Sequence, residues 1–147
     1  VTDALIALQI FQVLFLALHD WVPLPPLNDV RSVQAADPRG RLIAVTVAST
    51  LPFAFGLVAS LYFAGGDFPG WLILYLRISY TVLLVGQLRA WWIPYLLRAE
   101  PARAARYRAM FGRTHAFLPE RNGIRPNSLH IILHASTLIT LVLLFFL

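Results

Sequence analysis

The sequence predicts an all-α membrane protein: a bundle of four transmembrane helices with a short interfacial helix in the third loop. Hydrophobic residues make up 59% of the 147 positions, charged residues only 13%, and the mean hydropathy is +0.69, which is outside the range of soluble domains. The apolar residues fall into four blocks, each near the ~20 residues a helix needs to cross ~30 Å of hydrocarbon. Ten of the twelve Arg residues sit in two alternate connections between those blocks. Strand-length segments of alternating polarity, as in a membrane barrel, are absent, and a helix satisfies its own backbone in lipid.

The first block, residues 4–22, is the least apolar at its end. It reaches span length only by including His19, Asp20, Trp21 and Val22. No basic residue precedes it and no small-residue cleavage motif follows, so it reads as a retained helix and not as a signal peptide. The segment from Val22 to Leu27 holds three prolines and is expected to be extended. The second and third blocks, residues 42–64 and 71–93, are separated by a short connection, Gly65 to Gly70, that carries no Arg. In the loop after the third block, residues 100–111 read as a short helix lying along the headgroups, with Pro101 in its first turn and Gly112 as its stop. Pro119 to Asn127 reads as an ordered turn leading to the fourth block, residues 128–147, with Asn127 or Ser128 as N-cap. Residues 1–147 form a single polytopic domain in this reading.

Charge orients the bundle. Arg31, Arg39 and Arg41 follow the first block; Arg98, Arg103, Arg106, Arg108, Arg113, Arg121 and Arg125 follow the third. Basic loops stay in the cytoplasm, so both termini are expected outside a bacterial-type inner membrane. Trp21, Trp71, Trp91 and Trp92 fall at block ends, where indoles prefer to lie. The pI near 10.4 then reflects orientation and contact with anionic lipid, not nucleic acid. The absence of cysteine excludes disulfides, thiolate metal sites and thiol nucleophiles.

This topology gathers a polar layer near the cytoplasmic face: Gln12, His19 and Asp20 from the first helix, Thr46, Ser49 and Thr50 from the second, Gln87 and Arg89 from the third, and Asn127, His130 and His134 from the fourth. All four histidines of the chain lie on that side. His130 and His134 are four residues apart and project from one helix face, with Asn127 and Thr137 on the same stripe. Such a pair supplies half of a metal site, and His19, His115 and Asp20 are the candidates to complete it around Zn²⁺ or Fe. Without metal, His130, His134 and Asp20 are the candidates for acid–base chemistry, imidazole titrating closest to neutrality. Haem b is the second cofactor expectation, with His19 facing His130 or His134. No glutamate follows His130, so the zinc-protease motif is absent. Arg121, Asn122 and Asn127 are the candidates for holding a phosphate headgroup. Arg77, inside the third block, is expected to pair with Asp67 or Asp3.

The functional expectation is a small metal-dependent enzyme or binder acting on an amphiphilic, lipid-like ligand. The alternative is an accessory subunit of a larger membrane complex, whose polar residues are hydrogen bonds between helices. A haem-binding electron-transfer subunit is the second alternative. Expected partners are membrane lipids and either another membrane polypeptide or a second copy of the chain.

Overall fold

The computed structural model describes residues 1–147 and contains no strand; a lone antiparallel bridge joins Arg121 to Ile124. In chain order the helices are α1 (Thr2–Leu18), α2 (Val30–Ala36), α3 (Arg39–Tyr62), α4 (Gly70–Gln87), α5 (Ile93–Leu96), α6 (Pro101–Phe111) and α7 (Ser128–Leu143). A π-helical turn, Leu88–Trp92, joins α4 to α5 in one continuous rod, and a 3₁₀ turn, Leu144–Phe146, extends α7. Three helical rods are long and apolar enough to cross a membrane: Arg39–Tyr62, Gly70–Leu96 and Ser128–Phe146. The fourth apolar helix, α1, has 17 residues, about 25 Å at the ordinary helical rise.

The first helix is therefore shorter than its apolar block suggested. It stops at Leu18, whose carbonyl accepts from the N–H groups of both Trp21 and Val22. Pro23 has no N–H to continue the ladder and disfavours helical backbone at Val22. Asn28 folds beneath the turn, its amide donating to the carbonyls of His19 and Val22. The first loop also contains α2, which its proline content concealed. Asp29 caps it, accepting from the backbone N–H and the hydroxyl of Ser32. Val33, its one buried residue, inserts into a cluster with Leu42, Trp91, Tyr95, Phe111 and Ile124.

The apolar helices alternate in direction. Gln12 of α1 meets Ser136 and Thr140 of α7 while His19 meets His130, so α1 and α7 are antiparallel. Phe53 meets Tyr80 while Phe63 meets Trp71, so α3 and α4 are antiparallel. Gln87 meets Thr137 while Arg77 meets Leu144, which opposes α4 and α7. Both chain ends and the α3–α4 connection thus share one end of the bundle. The two Arg-bearing connections share the other.

The outside of this bundle is apolar, and its interior mixes an apolar core with enclosed polar side chains. Gln9, Gln12, Thr137 and Thr140 are fully enclosed, whereas Val58, Val82 and Leu51 are more than 60% exposed. Lipid offers hydrocarbon no reason to hide, but it offers a side-chain amide or hydroxyl no partner, so the polar faces turn toward each other. Arg77 obeys the same rule in an unexpected way. Its partner is neither Asp67 nor Asp3: Nε and an NH2 donate to the carbonyl of Leu144 at 3.1 and 2.8 Å, and the guanidinium lies 5.0 Å from the Phe145 ring. A cation at a helix C-terminus satisfies its orphan carbonyls and its dipole together.

The π turn and Pro94 explain how α6 is held. Because the Ile93 N–H donates five residues back, to Leu88, the Arg89 carbonyl loses its helical donor. Pro94 has no N–H to offer the Ala90 carbonyl. Both orphans are satisfied from α6, by Arg103 NH1 at 3.2 Å and by the Tyr107 hydroxyl at 3.0 Å.

Replacing Tyr107 with Phe leaves one of these carbonyls unpaired and is expected to cost about 1 kcal/mol. Hydrogen exchange should register faster opening of α6 while the apolar helices keep their protection. A second expectation concerns α2. Burial raises the Asp29 carboxyl, but the Ser32 hydrogen bonds and the Arg113 guanidinium outweigh it and hold the group below its ordinary value. Stability from a depressed carboxylate is present above its unfolded pKa and lost as pH falls through the folded one. Protection of the α2 amides should therefore fall on acidification below about pH 4. Asp29→Ala should weaken them already at neutral pH, by roughly 1 kcal/mol.

Candidate functional site

Between α1, α3, α4 and α7 lies a cleft of about 730 Å³. Its flanks are apolar, with Val45, Ala48, Pro52 and Phe53 from α3 and Ile78, Val82 and Leu83 from α4. At the end nearest the Arg-bearing loops the lining becomes polar: His19, Asp20, Thr46, Ser49, Gln87, His130 and His134. Val45, Ala48, Ile78 and Val82 are also exposed on the outside of the bundle. The cleft therefore opens sideways, between α3 and α4, onto the apolar surface of the protein.

Helical spacing places His130 and His134 on the buried face of α7, and their neighbours fix their protonation. Asn127, the N-cap, accepts from the backbone N–H of His130 at 2.9 Å, so the atom facing it is the amide oxygen. The same oxygen lies 2.6 Å from His130 Nδ1, which must therefore carry the proton. In the neutral ring His130 Nε2 is then a bare acceptor. For His134 the logic reverses. Trp92 Nε1 can only donate, and it lies 3.0 Å from His134 Nδ1, so the neutral ring carries its proton on Nε2. Two imidazoles on one helix face thus present opposite chemistry, one acceptor and one donor.

His19 completes the cluster from α1. Its ring meets that of His130 edge to face, with centroids 5.6 Å apart, and stacks on Phe15 at 4.6 Å. Nδ1 donates to the Phe15 carbonyl, leaving Nε2 3.2 Å from the Asp20 carboxylate. With Nδ1 committed as a donor, His19 and Asp20 must share a second proton or face each other as acceptors. Asp20 lies in the turn beyond α1, where burial pushes its carboxyl above the ordinary range; His19 opposes that shift and Asp37 adds to it. Trp91 covers the group, its ring 4.7 Å from that of His130. The π turn makes this possible, since the extra residue in the turn lets consecutive indoles, Trp91 and Trp92, both address α7.

Three of the four histidines therefore converge and one does not. His115 Nδ1 pairs with the Ser128 hydroxyl at 2.8 Å, and the two residues are joined again by Ser128 N–H donating to the His115 carbonyl. The ring fastens the loop to the start of α7 and stands outside the cleft lining. No group of three His, Cys, Asp or Glu side chains is placed to share an ion, so the expected four-histidine metal site does not assemble. Haem held between His19 and His130 does not fit either. Axial histidines address an iron from opposite sides of a flat ring, whereas His19 and His130 touch edge to face with Phe15, Trp91 and Phe111 packed around them.

The expected headgroup residues are dispersed. Asn127 is the α7 cap. Asn122, in left-handed backbone at φ 53 beside Gly123 at φ 75, donates to the Tyr95 carbonyl and stabilises the tight turn from Arg121 to Ile124. Arg121 is exposed at the edge of that turn. Sequence reading missed Trp91 and Trp92 as partners of the imidazoles. Their position at a block end suggested an interface, and nothing local announced the π turn that redirects them. No protein-family model, curated protein or solved structure matches this chain.

Isotope-edited NMR of the histidine rings tests the tautomers directly. His130 should appear as the Nδ1–H form and His134 as the Nε2–H form. Trp92→Phe should release the His134 preference and leave that of His130 intact; identical tautomers at both positions would contradict the hydrogen-bond assignment.

Proposed function

We propose that this chain is a four-crossing membrane protein that binds a single-chain, lipid-like amphiphile in the cleft between α3 and α4. The hydrocarbon lies against Val45, Pro52, Phe53, Ile78 and Val82. The polar head meets His19, Asp20, Gln87, His130 and His134. The observation that carries this reading is the gradient along one cleft, from an apolar side opening to a cluster of unlike hydrogen-bonding groups. Gln87 adds to it: Nε2 donates to Thr137, while Oε1 is buried and accepts from no protein group. With His130 Nε2 and the His134 Nε2–H, these three side chains offer two acceptors and a donor. A hydroxyl or amide head satisfies such a set better than a bare carboxylate.

The antiparallel order of the four apolar helices supports α1 as the fourth crossing, despite its 17 residues. Trp21, whose indole donates to Thr46, sits where an interfacial anchor belongs. With the Arg-bearing loops facing the cytoplasm of a bacterial-type cell, the polar end of the cleft lies in the inner leaflet and both chain ends lie outside. His130, His134 and Asp20 are then the groups that would move protons on a bound head, if the ligand is turned over as well as held.

The purified protein should carry an amphiphile detectable by native mass spectrometry, or take up a fluorescent long-chain alcohol or amide. Val82→Trp, which fills the side opening, should lower that affinity at least tenfold. Leu74→Trp, on the exposed face of α4 outside the cleft, should leave it within twofold. Equal binding by both variants would sink the proposal.

A further inference from the structure

A second concavity, of about 750 Å³, lies between the end of α4 and α6. Gly86, Ala90 and Ile93 form one wall and Ala102, Arg103, Arg106 and Tyr107 the other, with Arg89 projecting from the π turn between them. Gly86 and Ala90 line this groove and the amphiphile cleft alike, so they separate the two.

Part of its charge is uncompensated. Asp29 takes Arg113, Glu120 takes Arg108, and Asp37 takes Arg41 and the groove's own Arg106. Arg89 and Arg103 have no carboxylate partner. Arg103 is nonetheless held in place, since NH1 donates to the orphan Arg89 carbonyl and leaves the rest of the fork free. Nothing crowds the position where a Gly86 side chain would stand. Immediately along the same rod, Val85 and Ile93 are exposed apolar side chains. A cationic fork adjoining open hydrocarbon surface matches a phosphate joined to acyl chains.

We propose that Arg89 and Arg103 form a binding site for the phosphate of an anionic phospholipid, with its acyl chains laid along the Val85 and Ile93 face. The π turn is essential to this site: it places Arg89 in the groove and frees the carbonyl that fixes Arg103. The site is distinct from the amphiphile cleft, with which it shares only the wall of Gly86 and Ala90. Its ligand is a membrane phospholipid held by guanidinium charge, where the cleft offers no Arg side chain.

The test uses the full chain in detergent, titrated with phosphatidylglycerol or phosphatidylcholine and read by native mass spectrometry. Phosphatidylglycerol should bind at least tenfold more tightly than phosphatidylcholine. The pair Arg89→Gln and Arg103→Gln should abolish that preference, and the charge-matched pair Arg31→Gln and Arg98→Gln should alter it less than twofold. Ala102→Trp fills the groove without removing charge and should also abolish the preference, which guards against misfolding of the Arg variants. Equal loss in both Arg pairs would mean diffuse attraction and overturn the site. Displacement of the lipid by millimolar inorganic phosphate alone would make it a free-anion site and overturn the lipid assignment.

Discussion

The polar stripe of α7 is the constraint on which the rest of the bundle depends. Ser128, His134, Ser136, Thr137 and Thr140 are all buried, and α7 is more enclosed than α3 or the α4–α5 rod. In hydrocarbon, apolar contact between helices differs little from contact with lipid, so the groups that must find partners decide which faces meet. Gln12 reaches Ser136 and Thr140 from α1; Gln87 and Trp92 reach Thr137 and His134 from the α4–α5 rod. Each such bond contributes roughly 0.6 kcal/mol in membrane helices. Together they set the register of two helices against the third.

The same principle extends to the backbone. A helix interior normally leaves no carbonyl free, yet three carbonyls here serve as attachment points: Arg89 and Ala90, released by the π turn and Pro94, and Leu144 at the end of α7. Arg103, Tyr107 and Arg77 answer them. Irregular backbone thus holds α6 against the bundle and closes the end of α7. It also turns Trp91 and Trp92 onto the histidines and Arg89 into the groove beside α6. Both candidate sites flank this one irregularity, which fits the frequent appearance of π turns where a helix carries function.

Chemically, the histidine cluster is asymmetric by construction. Asn127 fixes His130 as an acceptor because its amide oxygen is already committed to a backbone N–H; Trp92 fixes His134 as a donor because an indole can do nothing but donate. Rings locked into opposite tautomers present one acceptor and one donor at the end of a cleft that opens from the side.

Several of these features were legible in the sequence. Block length and hydropathy, together with the lack of strand-like alternation, predicted helices, because backbone satisfaction in lipid depends on composition and length alone. The Asn127 cap and the loop helix starting at Pro101 follow from the local chemistry of helix ends, and the shared face of His130 and His134 from helical geometry. The stop at Leu18 could also have been read, from Pro23. Tertiary structure alone decided which groups meet: His115 bound to Ser128 and not to the cluster, Arg77 taken by a carbonyl and not a carboxylate, Trp91 and Trp92 brought onto α7. A hydrogen bond between distant residues is chosen by the competing partners that packing brings within reach, and no local pattern of residues encodes that competition.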